Sequence, residues 1–280
     1  MEQYHWFVPL GFILGAYGTL VGAGGAFILV PILLLMYPEA SPETITSISL
    51  AVVFFNCLSG SASYAVTKRI DYKSGLLFSI ATVPGAVLGT MATAYFNRGV
   101  FDVLLGVVLI IASIFIFVRP GPVSRPQKKG APNQYRRVLT DSEGETYDFS
   151  FNLYLGLGIS FFIGFMSSLL GIGGGIIHVP VLILLLNFPV HIATATSHFM
   201  LAIMALTATF MHIGTGGFAH GGVQRTIVLS VGMVIGAQLG ALLSPRLRGT
   251  FIVRALAVAL ALVGSRLIWV AWQAPHLVKP

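Results

Sequence analysis

GIGGGIIHVP, residues 171–180, lies inside a run from Phe149 to Gln224 that carries no Asp, Glu, Lys or Arg. Each of its glycines weakens a helix by about 1 kcal/mol, and the proline interrupts the hydrogen-bond ladder. Close helix packing explains glycines spaced four apart, such as Gly85 and Gly89 or Gly232, Gly236 and Gly240. It does not explain Gly171, Gly173, Gly174 and Gly175 clustered together, which predict a broken helix.

The same pattern stands at 22–31 as GAGGAFILVP, so G-x-G-G-x-x-x-x-V-P occurs twice, 149 residues apart counted from Gly22 to Gly171. Gly15 and Gly164 share this offset. Further along, Thr46-Ser47 aligns with Thr196-Ser197, and PGAVLG at 84–89 with IGAQLG at 235–240. A match sustained over several segments is an internal duplication. It divides the chain into a first repeat at 1–118, a linker at 119–148 and a second repeat at 149–280. The linker, rich in Pro, Gly and mixed charge, reads as a flexible, water-exposed stretch.

Composition sets the class. Apolar residues make up 56% of the chain and charged residues 9%, with a mean hydropathy of +0.88, well outside the soluble range. The fold class is an all-α polytopic membrane protein. Apolar segments recur at 6–38, 44–67, 74–97, 103–118, 149–188, 192–213, 226–245 and 250–272, giving eight, four in each half. Arg254 and Arg266 near the ends of the last segment can snorkel to the interface. The first segment lacks the basic flank of a secretory signal and is expected to be retained. The formal charge of +7 sits in short loops beside spans, which suits a lipid bilayer and not a nucleic acid. The single cysteine, Cys57, excludes an internal disulfide.

As unbroken helices, 6–38 and 149–188 would run about 50 and 60 Å against a hydrocarbon core of about 30 Å. A glycine break that turns each back on itself makes every half cross the membrane an odd number of times, so the halves are expected to be inverted repeats. Single crossings and hairpins both leave the same excess of Lys and Arg on one side. Either way, the 67–73 loop and the linker fall in the cytoplasm.

Enzymatic motifs are missing. Phe27 and Ile176 occupy the place of the third glycine in a dinucleotide fingerprint, no Gly-Lys-Ser/Thr follows, and there is neither a G-x-S-x-G nor an H-E-x-x-H. With no Asp or Glu in the apolar segments, neither intramembrane catalysis nor a cofactor is expected. A helix that restarts after a glycine break instead offers free N–H groups and a positive dipole end, a ready anion site. Gly22, Gly24 and Gly25 with Gly171, Gly173, Gly174 and Gly175 are therefore candidate substrate-binding residues. Thr46, Ser47, Thr196 and Ser197 add hydroxyl donors, and Asn56 and Gln238 are polar groups in apolar surroundings.

The second half also carries histidines. His191, His198 and His212 fall on one helix face, with His178 after the glycines and His220 near an interface. His198 and His212 are candidates for anion or proton handling. The alternative is a transition-metal or proton-coupled permease built on these histidines. Their counterparts in the first half, Leu29, Ile48 and Ala62, are apolar, which excludes a symmetric metal cage.

The paired G-x-G-G(G)-x4-V-P motifs, the Thr-Ser that follows each and the basic linker resemble the TauE/SafE family of sulfite exporters, over both halves. The resemblance implies a bacterial inner-membrane permease that exports sulfite or a related small sulfur-containing or organic anion. The family's glycine motifs map onto Gly22, Gly24 and Gly25 and onto Gly171, Gly173, Gly174 and Gly175, with Ala26 departing where the second half has Gly175. The oligomeric state stays open, a homodimer being one arrangement.

Overall fold

The computed structural model describes residues 5–118, 134–218, 221–244, 257–258 and 260–269. Arg254, His220 and the linker residues 119–133 lie outside them. The first half forms α1 (Phe7–Val21), α2 (Ala26–Met36), α3 (Pro42–Val66), α4 (Tyr72–Thr93) and α5 (Arg98–Val118). A hairpin of β1 (Gln134–Thr140) and β2 (Thr146–Asn152) follows. Then come α6 (Leu153–Leu170), α7 (Gly175–Leu184), α8 (Val190–Thr215), α9 (Gly222–Leu243) and α10 (Leu260–Trp269). The chain is thus mostly helical. Among the described residues five helices, α3, α4, α6, α8 and α9, are long and apolar enough to cross a membrane.

Local chemistry sets several helix starts. Ser41 Oγ accepts the Thr44 N–H at 3.2 Å with Pro42 in the first turn, Asp71 accepts from Ser74 at 3.4 Å, and Asn152 accepts from Leu155 at 3.1 Å. The segments 6–38 and 149–188 are each split into two helices at their glycines, as the predicted breaks require, the second being preceded by the end of β2.

Glycine stripes dictate which helices touch. A Cβ added at Gly232, Gly236 or Gly240 of α9 would meet, in that order, the carbonyl oxygens of Val8, Phe12 and Ala16 at 2.1–2.2 Å, so α1 and α9 run side by side in one direction. Gly85 and Gly89 of α4 lie in the same way on Phe161 and Phe165 of α6. The first helix of each half therefore packs on the fourth helix of the other. An alanine at Gly85 would stand 2.2 Å from the Phe161 oxygen. Gly85→Ala should consequently cost about 2 kcal/mol of overpacking and lower the thermal midpoint. Gly158→Ala, with nothing within 4 Å of the added carbon, should not.

α3 also follows α9, as Asn56, Ser59 and Ser63 bond to Met233, Val234 and Gln238. Since α1 and α3 both run with α9, α2 must carry the chain back between them. The same reasoning applies to α7, because α4 runs alongside both α6 and α8, meeting α8 at Asp71 with Thr196 and at Gly75 with Phe199. α3 and α8 run in opposite directions: Glu43 meets Thr215, while Gly60 meets His198.

The stretch read as linker is not uniformly flexible, because residues 134–148 contribute the hairpin, and β2 extends to Asn152. The missed signal is the alternation in QYRRVLT and TYDFSFN around the turn DSEGE. Phe149 and Phe151 stack into a cluster with Phe188 and Phe78. Arg137 forms a forked pair with the buried Asp71, Nη2 at 2.7 Å and Nε at 3.0 Å, while Arg69 holds Asp141 at 3.1 Å. Burial alone would push the Asp141 carboxyl up, but the N–H groups of Glu143 and Glu145 and the Arg69 guanidinium outweigh it and hold it below the usual carboxylate range. A depressed carboxylate stabilises the fold above its unfolded pKa, about 4, and loses that contribution as pH falls through its own lower value. Protection of the β1 and β2 amides against hydrogen exchange, corrected for intrinsic rates, should fall below about pH 4. Asp141→Asn should weaken that dependence, leaving the part due to Asp148, which Arg136 across the hairpin also holds below the usual carboxylate range.

Candidate functional site

Both clusters of glycines are turns. Gly22, Gly24 and Gly25 have φ of 80°, 72° and 79°, and Gly171, Gly173 and Gly174 have 68°, 76° and 68°, all in the left-handed region that favours glycine. α1 ends on Gly22 and α6 on Gly171; α2 then starts after Gly25 and α7 after Gly174. In the first turn the N–H groups of Ala23 and Gly24 reach back to the Gly18 carbonyl at 2.8 and 3.1 Å. In the second, the Ile172 N–H reaches the Ser167 carbonyl at 3.2 Å. Neither α2 nor α7 has a side-chain cap. The Ile28 and Ile177 N–H groups reach the carbonyls of Gly25 and Gly174 and the Gly175 N–H reaches that of Gly173, which leaves the N–H groups of Ala26 and Phe27 in α2 and of Ile176 in α7 without a backbone partner among the described residues.

The two turns abut. A Cβ on Gly175 would stand 2.3 Å from the Gly22 carbonyl oxygen and 2.6 Å from the Ala23 Cα. All seven candidate glycines are buried. α3 and α8 cross beside them: a Cβ on Gly171 would lie 2.9 Å from the Thr46 Cα, and one on Gly22 3.0 Å from the Thr194 Cα. Ser49 Oγ donates to the Gly171 carbonyl at 2.8 Å, and Ser197 Oγ to the Gly22 carbonyl at 3.3 Å.

These contacts correct the alignment of the third helix. Ser49 corresponds to Ser197 and Thr46 to Thr194, an offset of 148 residues, in place of the 150 that paired Thr46-Ser47 with Thr196-Ser197. The repeated Thr-Ser letters are a coincidence of register, and what the two halves share is a serine bonded to the opposite turn. Thr46 and Ser47 hydroxyls donate instead to the Glu43 carbonyl of their own helix, at 3.0 and 2.6 Å. Thr196 accepts the Asp71 N–H at 3.0 Å. The corrected register also makes Leu50 and Tyr64 the counterparts of His198 and His212, replacing Ile48 and Ala62.

His198 belongs to a buried network. Its Nε2 lies 3.1 Å from Thr19 Oγ1 and 3.3 Å from Asn56 Oδ1, Thr19 donates to Asn56 at 3.0 Å, and Asn56 Nδ2 donates to the carbonyls of Gly15 and Met233 at 3.2 and 3.3 Å. Tyr64 donates to the Thr19 carbonyl at 2.9 Å with its ring edge-on to the imidazole. His198 and Asn56 thus tie α1, α3, α8 and α9 together immediately before the first turn.

His212 and Gln238 stand apart from the turns. His212 lies 14 residues, about 21 Å of helix, beyond His198 and packs under Gly217 next to Ser47. Gln238 Nε2 donates to the Ser59 carbonyl and hydroxyl at 2.9 and 2.7 Å at an exposed edge. Among the described residues no three His, Cys, Asp or Glu side chains come together to hold a metal. Sequence reasoning missed Arg98, whose guanidinium, held by Asp102 at 3.1 Å, caps the end of α2 through the carbonyls of Leu34, Tyr37, Pro38 and Ala40. The i,i+4 spacing of Arg98 and Asp102 is its one legible trace.

Comparison with known proteins agrees over nearly the whole chain. The family model described as Sulfite exporter TauE/SafE matches residues 7–267. "Probable membrane transporter protein YunE" of Bacillus subtilis (strain 168) is 33% identical over 268 residues, covering 94% of this chain and 96% of the relative. "Probable membrane transporter protein MJ0441" of Methanocaldococcus jannaschii is 23% identical, covering 83% of each. A "Probable membrane transporter protein" of Xylella fastidiosa (strain Temecula1) is 25% identical, covering 94% and 92%. No solved structure matches. Two abutting glycine turns in a helical membrane chain, with a family match spanning both, place this protein in the sulfite exporter TauE/SafE family of membrane transporters.

Proposed function

We propose that the chain exports sulfite or a related small anion across the bacterial inner membrane, the anion being held near the bilayer midplane between the starts of α2 and α7. The observation that carries this reading is the contact of the two uncapped helix starts through Gly175 and Gly22. Each start presents the equivalent of about half a positive charge, so together they offset about one negative charge without an ionised side chain. Such a site binds without trapping, as a transporter requires. Ser49 and Ser197 brace the turns from opposite sides.

Inverted repeats, 1–118 and 149–280, are part of the proposal. Supporting them is the opposed run of the corresponding helices α3 and α8, together with the exchanged pairs α1 with α9 and α4 with α6. A pseudo-twofold axis in the membrane plane relates such halves, and the substrate site lies at the interface between them. The excess of Lys and Arg supports a cytoplasmic hairpin side. Burial of the glycines of both turns supports an occluded arrangement that opens alternately to either face.

The test is flux from proteoliposomes over sulfite, sulfate, acetate and chloride, with and without a proton gradient. Saturable sulfite efflux is expected. Absence of saturation with every anion overturns the proposal.

A further inference from the structure

The two turns share one backbone course but not one chemistry. In the first, the residue whose carbonyl closes the turn is Gly18; a Cβ there would stand 2.2 Å from the Gly25 nitrogen, so backbone fills the space. In the second, the corresponding residue is Ser167. It is fully buried, and its Oγ has no hydrogen-bond partner among the described residues, not even a carbonyl of its own helix. That hydroxyl points at the start of α7, since a Cβ on Gly174 would lie 2.9 Å from it.

Neighbouring positions repeat the contrast. Thr19 is committed to Asn56, while its counterpart Ser168 has no partner among the described residues. Leu29 corresponds to His178, 1% exposed, with neither ring nitrogen partnered among those residues. Unpaired buried polar groups are costly and rare, and here they gather on one of two otherwise matching turns.

We propose that the anion site is asymmetric: between the two helix starts a small oxyanion sits toward α7, accepting the Ser167 hydroxyl and the unpartnered Ile176 N–H, while the first turn contributes its dipole and wall and no side-chain donor. This assignment rests on the anion-export reading above. The hydroxyl donates to an anion oxygen, so its loss removes a hydrogen bond to a charged, desolvated ligand.

The test uses the full-length protein in proteoliposomes with sulfite as probe. Ser167→Ala should raise the KM for sulfite at least about tenfold with maximal rate within about twofold, and Ser167→Thr should restore most of the affinity. The thermal midpoint should not fall, because the hydroxyl has no protein partner to lose. If the alanine variant does not fold, Ser167→Cys, similar in size and a far weaker donor, should show the same rise. An unchanged KM in a variant lacking the hydroxyl, where Gly175→Ala still abolishes flux, overturns the assignment and leaves the helix-start reading intact. If the wild-type protein moves none of sulfite, sulfate, acetate and chloride, both fall.

Discussion

Gly175→Ala is expected to cut sulfite efflux at least about 100-fold, because displacing preorganised groups by about 1 Å carries penalties of that order. The added methyl meets the Gly22 oxygen at 2.3 Å and the Ala23 Cα at 2.6 Å, both backbone atoms of the opposite turn with no flexible side chain to yield. Gly175 itself is not among the positive-φ glycines, and alanine favours a helix start more than glycine does. The effect therefore isolates the contact between turns from local strain. Ala26, the counterpart, already carries a Cβ, so Ala26→Gly should leave efflux within a few-fold. Flux in proteoliposomes, read beside the melting midpoint, checks both. Wild-type efflux from a folded Gly175→Ala variant would show that the turns need not touch.

His198→Leu is expected to destabilise the protein by about 3 kcal/mol, combining unpaired polar groups with imperfect filling of the imidazole site. Thr19 and Asn56 would lose a partner at 3.1 and 3.3 Å in surroundings that exclude water. The site is shaped for the ring: Gly60 has no room for a Cβ, which would lie 2.6 Å from His198 Cδ2. A lower thermal midpoint with sulfite KM preserved in the folded fraction is the expected pattern. The opposite pattern, a normal midpoint with lost flux, would return His198 to the transport path.

The glycine breaks were legible because seven glycines in two apolar segments have no cheaper explanation than a turn, and because the pattern occurs twice. The packing role of Gly85, Gly89, Gly232, Gly236 and Gly240 was legible from spacing alone. The register of α3 against α8 was not. Identical letters in Thr46-Ser47 and Thr196-Ser197 outweighed the true pairing, which only the bonds of Ser49 and Ser197 to the opposite turns reveal. Nor does a helical face disclose that His198 is committed to Thr19, since their partnership spans 179 residues. Ser167 went unnoticed for a related reason. A lone serine in an apolar run reads as bonded to its own helix, and only coordinates show that this one is not.

The exchange of helices between the halves also dictates how the protein is made. α1 leaves the ribosome first, yet the partner whose glycines receive it is α9, about 200 residues later. At about 5–20 residues per second, α1 waits some 10–40 s with an unmatched face, and α4 waits in turn for α6. The first half therefore cannot mature as an independent unit. Its assembly waits for α9, so truncation before α9 also leaves α1 without its partner.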